Sequence, residues 1–282
     1  MLLDDDRVAH DLASSAGQRL FDLPYRAEFG HPAALRAAGD RLSHEYITAA
    51  LAVRRPADAV LSEEGIDDPA RLAADRVWIV DPLDGTREFG EPGRTDWAVH
   101  VALWVRAEPG ETAGSSAAAP PGGRLAAGAV AMPAQGRTFS TASPSSPCSP
   151  SSRRGDSPRL RIVVSRSRPP EFVRALAGEI GADLIPLGSA GAKVMAVVTG
   201  AADAYIHAGG QYEWDSAAPV AVAQAAGLHA SRIDGRGLEY NQPDPRLPDI
   251  LVCPPALAGM LLAAIRAARQ AGGSEAMSEP TG

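Results

Sequence analysis

The stretch WIVDPLDGTREF, residues 78–89, drives three apolar residues straight into Asp81, and Asp84 follows three positions later. Trp78, Ile79 and Val80 read as strand. Pro82 has no N–H to give a ladder, so the strand is expected to stop at Asp81. Asp81 then projects from a strand end, the usual place for ligands in α/β architecture. The short loop leaves the Leu83 carbonyl without a ladder partner, and Asp84 turns back toward Asp81. Gly85-Thr86 follows at a helix start, where backbone N–H groups and the helix dipole favour an anion. Two carboxylates, a free carbonyl and an anion cradle describe a hard-cation site holding a phosphate, and Mg²⁺ takes oxygen ligands of this kind. Taken alone, DPLDG has a second reading as a capped turn, because Asp, Pro and Gly build turns well. The Asp-nucleophile phosphatase pattern DxDGT fits less well, since the acids here stand D-x-x-D and two helical segments precede them.

Those helical segments are visible as periodicity. Val8, Leu12, Ala16 and Leu20 recur every fourth residue, and in residues 40–53 Leu42, Tyr46 and Ala50 share a face. Strands are expected at DAVL (58–61), RVWIV (76–80), WAVHVALW (97–104) and AGAVAM (127–132). Further on, RIVVS, ADAYIHA and DILVCP read as strands. They alternate with helices at PPEFVRALAGEI, AGAKVMAVVTG, DSAAPVAVAQAAG and 255–270, the arrangement of an α/β domain. Residues 107–123 and 141–157 are low-complexity Ala/Gly/Pro and Ser/Pro tracts, expected to be mobile insertions around a hairpin. The expected division is an α+β half at 1–157, an α/β half at 158–272 and a tail at 273–282.

Composition narrows the function classes. With 282 residues, 45% hydrophobic and 22% charged, the chain is long enough for a sizeable core and is expected to be soluble. A net charge of −7 with scattered Lys and Arg argues against a nucleic-acid polymer as partner. No apolar run reaches the roughly 18–20 residues of a membrane span, and the start MLLDDDRVAH is acidic where a signal peptide is basic, so cytoplasm is the expected location. Two cysteines and six histidines without ligand spacing argue against a disulfide framework and a zinc site.

Two further acidic motifs support the cation reading. SEEG (62–65) follows its own strand, and a carboxylate there is placed to bridge to Asp81; an exposed acidic turn is the alternative. EWDSAA (213–218) puts Asp215 at a strand-to-helix junction, where an N-cap role is the alternative. Glu64, Asp81, Asp84 and Asp215 together supply enough acids for two or three Mg²⁺.

In this combination the sequence resembles the inositol monophosphatase superfamily of Mg²⁺-dependent, Li⁺-sensitive phosphatases, through SEEG, WIVDPLDGT and EWDSAAPVAVAQAAG in family order. The resemblance runs from the first helix to about Gln270 and fails only across the two low-complexity tracts. It implies a layered α/β/α/β/α sandwich of the inositol monophosphatase/fructose-1,6-bisphosphatase type, and a homodimer. It also implies that Glu64, Asp81 and the Leu83 carbonyl hold one metal and that Asp81, Asp84 and Asp215 hold a second. Thr86 with Asp40, the Asp of AAGD, would position the attacking water. Asp40 is expected to begin a helix, and a plain N-cap is its alternative.

DGTREF resembles the 3′(2′),5′-bisphosphate nucleotidase branch, in its actinobacterial form, more than the DGTTNF of inositol phosphatases. The resemblance places Gly85, Thr86, Ser165, Ser189, Lys193 and Glu213 on the substrate side. Arg166 and Arg168 are candidates for a second phosphate, because guanidinium binds phosphate bidentately. A bare loop at 165–168 and a solvated Lys193 are the alternatives. The implied reaction is release of the 3′-phosphate of adenosine 3′,5′-bisphosphate. Inositol-1-phosphate or fructose-1,6-bisphosphate is the alternative substrate, and a regulator without turnover is the alternative from another class.

Overall fold

Alternation along the strand at Arg76–Asp84 sets the layering. Val77 and Ile79 pack into one apolar cluster while Trp78 and Val80 pack into another, so both faces of the sheet are covered. A strand buried on both faces reads as a continuous apolar run, which is why WIV shows no polar spacing. The computed structural model of the protein describes residues 4–26, 29, 31–107, 122–143 and 159–275. The two low-complexity tracts fall almost wholly outside the described residues, as does most of the tail.

The first sheet contains β1 (Ala59–Ser62), β2 (Arg76–Asp84), β3 (Ala98–Arg106), β4 (Gly123–Met132) and β5 (Arg137–Ser140) in that order. β1 and β2 are parallel and the other neighbours antiparallel. The second sheet runs β7 (Asp183–Leu187), β6 (Arg161–Ser165), β8 (Ala204–Tyr212), β10 (Arg246–Cys253), β9 (His229–Ser231). β7 and β9, which the apolar pattern does not reveal, are short edge strands. β7 carries Pro186, tolerated where one side of a strand has no partner.

Three apolar clusters separate five layers. α1 (Asp5–Arg26) and α2 (Pro32–Arg54) cover the outer face of the first sheet, with Val8, Leu12, Ala16 and Leu20 all fully buried there. α5 (Ala190–Val198) and α6 (Glu213–Ala225) lie between the sheets, and α4 (Glu171–Ile180) and α7 (Pro255–Glu275) cover the outer face of the second. The α/β/α/β/α order expected from the sequence is therefore observed. Each fully buried Leu, Ile or Val in these clusters contributes about 1.5–3 kcal/mol.

Two helix expectations are corrected. α2 begins at Pro32, where the His31 ring accepts the Ala34 N–H and Pro occupies the first turn. Asp40 therefore lies about two turns inside the helix rather than at its start. The fully buried stripe of α2 is Gly39, Ser43, Ile47 and Leu51, one position round from Leu42, Tyr46 and Ala50.

A polar knot joins the first sheet's loops to the second half. The buried Arg71 donates to Asp67 (2.6 and 3.0 Å), to Asn241 Oδ1 (2.7 Å) and to the Gln242 carbonyl (2.9 Å). Glu213, at the start of α6, accepts the Asn241 and Gln242 amides at 2.6 and 2.7 Å. Loop 62–68 and the N-terminus of α6 are thereby fixed to the same segment.

Candidate active site

The ladder between β2 and β3 pairs Asp81 with His100 and resumes at Asp84 with Ala98. Pro82 and Leu83 form a bulge, where a missing N–H breaks no regular pairing. The strand thus continues to Asp84 instead of ending at Asp81, and the bulge is what aims the acids. Asp81 Oδ1 accepts the Leu83 amide at 3.0 Å. Gly85 then turns the chain with φ +84°, a conformation that side chains with a Cβ rarely adopt. The four-residue α3 (Thr86–Phe89) follows. Thr86 Oγ1 donates to the Leu83 carbonyl at 2.9 Å and stands 3.4 Å from Asp40 Oδ1. Thr86 and Asp40 are therefore neighbours, as the sequence reading expected.

Asp84 is aimed by α5. Its Oδ2 accepts the Ser189 hydroxyl at 2.6 Å and the Gly191 amide at 2.7 Å, which leaves Oδ1 as the oxygen free for a cation. Ser189 also caps α5, accepting the Ala192 amide at 2.9 Å. It contacts an acid of the cation site rather than standing apart from it. Asp215 lies in the first turn of α6, where Oδ2 accepts the Tyr212 amide at 2.7 Å, so the capping role and proximity to the other acids coexist.

The SEEG loop distributes its acids differently from the expectation. Glu63 N–H donates to the Val80 carbonyl at 3.2 Å, extending the β1–β2 pairing. Part of the Glu63 residue is exposed, but its carboxyl group lies within reach of Asp81 and feels the charges of Asp215 and Asp84. The Glu64 charge acts instead on Asp40. Glu63, not Glu64, joins Asp81.

His100 was not singled out by the sequence, where it is a lone polar residue in WAVHVALW. It is fully buried and its Nδ1 faces the Trp214 carbonyl at 3.1 Å. A carbonyl only accepts, so Nδ1 carries the proton of that bond. Nε2 is 3.2 Å from Asp84 Oδ2, and His100, Asp81 and Asp84 bring ligand atoms within 4.8 Å of one another. The register that sets it opposite Asp81 across β2 and β3 is seen only in the structure.

The electrostatics describe a site short of positive charge. Burial, then the charges of Glu63, Asp84 and Asp215, push Asp81 well above the usual carboxylate range. Burial and the neighbouring Asp84 raise Asp215 to about 7, while burial and Asp215 raise Glu63 to about 7. Burial and Glu64 raise Asp40 to about 6. Asp84 alone moves down: burial opposes its charge, but His100, Lys193 and Ser189 outweigh that. Four acids crowded in a half-buried site fit divalent cations, which supply the missing charge and favour oxygen donors.

A cleft of about 430 Å³ is bordered by two of these acids, Asp84 and Asp215, and lined by Gly85, Thr86, Ser165, Arg168 and Lys193 among others. Lys193 is buried and donates to the Gly188 carbonyl at 2.6 Å, so it is not the solvated lysine of the alternative reading. Ser165 Oγ accepts the Arg168 amide at 3.2 Å. Two expectations fail here. Arg166 is paired with Glu88 and Glu91 and is not free to take a phosphate. Glu213 has both carboxylate oxygens occupied by backbone amides and is not among the cleft-lining residues.

Comparison with known proteins places this geometry. Residues 30–270 match the inositol monophosphatase family. A 3′-phosphoadenosine 5′-phosphate phosphatase of Mycobacterium leprae is 48% identical over 265 residues, covering 94% of each chain. The 3′(2′),5′-bisphosphate nucleotidase CysQ of Escherichia coli is 30% identical over 212 residues, 72% of this chain and 78% of that one. Inositol monophosphatase II of Staphylococcus aureus has the same fold, with a TM-score of 0.70 at 21% identity over 91% of this chain and 93% of that one.

Proposed function

The chain belongs to the inositol monophosphatase family, and from that premise we propose that it is a Mg²⁺-dependent phosphomonoesterase removing the 3′-phosphate of adenosine 3′,5′-bisphosphate. The observation that carries the reading is the grouping of Glu63, Asp81, Asp84 and Asp215 within reach of one another's charge, with Asp84, Asp215 and Thr86 lining one cleft and Thr86 beside Asp40. The relative at 48% identity supports the choice of substrate.

Glu63, Asp81 and the Leu83 carbonyl would hold one Mg²⁺, and Asp81, Asp84 Oδ1 and Asp215 a second. Bound there, the ions lower the pKa of a water and stabilise charge on the attacking and leaving oxygens. This chain's own groups do the rest. Ser189 and Gly191 fix the orientation of Asp84. Once the Leu83 carbonyl is taken up, the Thr86 hydroxyl would turn its proton to Asp40 and accept a hydrogen bond from the attacking water, and Asp40, raised to about 6, is suited to receive a proton near neutral pH. The Gly85 and Thr86 amides bind the reacting phosphate. Lys193 and Arg168 line the cleft beyond it, and Arg168 takes the 5′-phosphate.

The test compares phosphate release from adenosine 3′,5′-bisphosphate, inositol-1-phosphate and fructose-1,6-bisphosphate with Mg²⁺, with added Li⁺ and with EDTA. The expected result is a nucleotide preference that both Li⁺ and EDTA abolish. A preference for inositol or sugar phosphate would retain the metal chemistry and discard the nucleotide assignment.

A further inference from the structure

Three separate segments build the cleft wall facing the acids: α3, the β6–α4 loop with Ser165 to Arg168, and the β7–α5 loop with Gly188. Arg166 ties them together. Its Nε and Nη2 donate to Glu88 Oε1 at 3.0 and 2.6 Å, and Nη2 also reaches Glu91 Oε1 at 2.9 Å. Its backbone N–H donates to the Leu187 carbonyl at 2.9 Å, one residue before Gly188. Glu88 is only 5% exposed and lies flat on Gly188, where an added Cβ would come within 2.2 Å of Glu88 Cδ. The Gly188 carbonyl in turn accepts Lys193 Nζ. Among the described residues no carboxylate pairs with the Arg168 side chain, which lines the cleft two positions after Arg166.

We propose that Glu88, Arg166 and Glu91 form a positioning clasp that sets selectivity for a substrate carrying a second phosphate. Glu88 lines the cleft while Arg166 and Glu91 stand behind it, so the clasp acts by placing its neighbours. It holds Arg168 and Lys193 at a fixed span from Asp84 and Thr86, and it neutralises acids that would otherwise repel a second phosphate. The inference rests on the bisphosphate reading given above. It also gives Glu88 of DGTREF a physical role, since a carboxylate there reaches the second half of the chain.

The test is the ratio of kcat/KM for adenosine 3′,5′-bisphosphate to that for adenosine 3′-monophosphate, which breaks the same bond without the second phosphate. In Arg166→Gln the ratio is expected to fall about tenfold through KM for the bisphosphate, with kcat on the monophosphate within about twofold of wild type. Arg166→Lys recovers only part of the ratio, because an ammonium cannot bridge both acids as the guanidinium fork does. Glu91→Gln, at an exposed position, lowers it by about two- to threefold and decides the question if Arg166→Gln does not fold. An unchanged ratio in folded variants, or a parallel fall on both substrates, overturns the clasp. A wild-type enzyme that does not distinguish the two substrates overturns the bisphosphate reading, and the clasp with it.

Discussion

Glu63 and Glu64 are chemically identical neighbours, and the acid each one faces separates their roles. Glu63 reaches Asp81, whereas Glu64 acts on Asp40. Glu63→Gln is therefore expected to weaken divalent-cation binding by about 10- to 100-fold, the range for losing a metal-site partner, and Glu64→Gln by less than about threefold. Titration calorimetry with Mn²⁺ on both variants measures this directly; equal losses would show that the two acids share the site. The sequence could not separate them because SEEG lies past the end of a strand, where alternation no longer assigns faces. The parallel pairing of Ser62 with Val80 supplies what was missing, since one residue further on Glu63 stands beside Asp81. His100 escaped for a related reason: its partner is set by antiparallel register, and sequence spacing carries no register between strands.

Elements were legible where burial is periodic and misread where local chemistry competes with tertiary packing. The four apolar residues of α1 repeat through more than three turns, and they are buried as expected. Asp40 read as a helix start because Asp is a common cap, yet the cap is His31, with Pro32 behind it. Pro82 read as a stop, yet a bulge absorbs it and the strand resumes. Glu213 shows the same competition at the head of α6. Its two charged hydrogen bonds to Asn241 and Gln242 make it a brace for that element. Glu213→Ala is expected to destabilise the fold by about 2–4 kcal/mol, since buried amides lose charged partners, with KM changed by less than about threefold. Urea melts and substrate kinetics on the same preparation check both halves of that statement. A large rise in KM without loss of stability would return Glu213 to the substrate side.

At the scale of the molecule, the layered architecture was implied by the family resemblance that the motifs carry, whereas the way the two sheets lock together was not legible. The Arg71 knot and the Arg166 clasp are polar, long-range and without periodicity, so no local pattern announces them. The crowded acids have a global consequence. Glu63 and Asp215 both have folded-state pKa values raised to about 7, above their unfolded values. The metal-free fold therefore loses stability as pH rises from about 4 to about 7, because the folded state must give up protons it holds more tightly than the unfolded chain. Cation binding requires those same carboxylates ionised, so the increase in Tm produced by saturating Mg²⁺ is expected to grow between pH 5 and pH 8. Melting curves with Mg²⁺ and with EDTA across that range measure it, and a pH-independent increment would place the bound cation elsewhere.

The diversion of Glu213 into backbone bonding has a consequence for how a ligand arrives. With that carboxylate turned away, the acids of the cation site that line the cleft are Asp84 and Asp215, and Lys193 and Arg168 line it as well. Ionised together, these acids would repel an anion that Arg168 attracts, and divalent cations would remove the repulsion. On the proposed function, a polyanion is therefore expected to bind more tightly after divalent cations than before them, an order that nucleotide binding with and without Mg²⁺ measures.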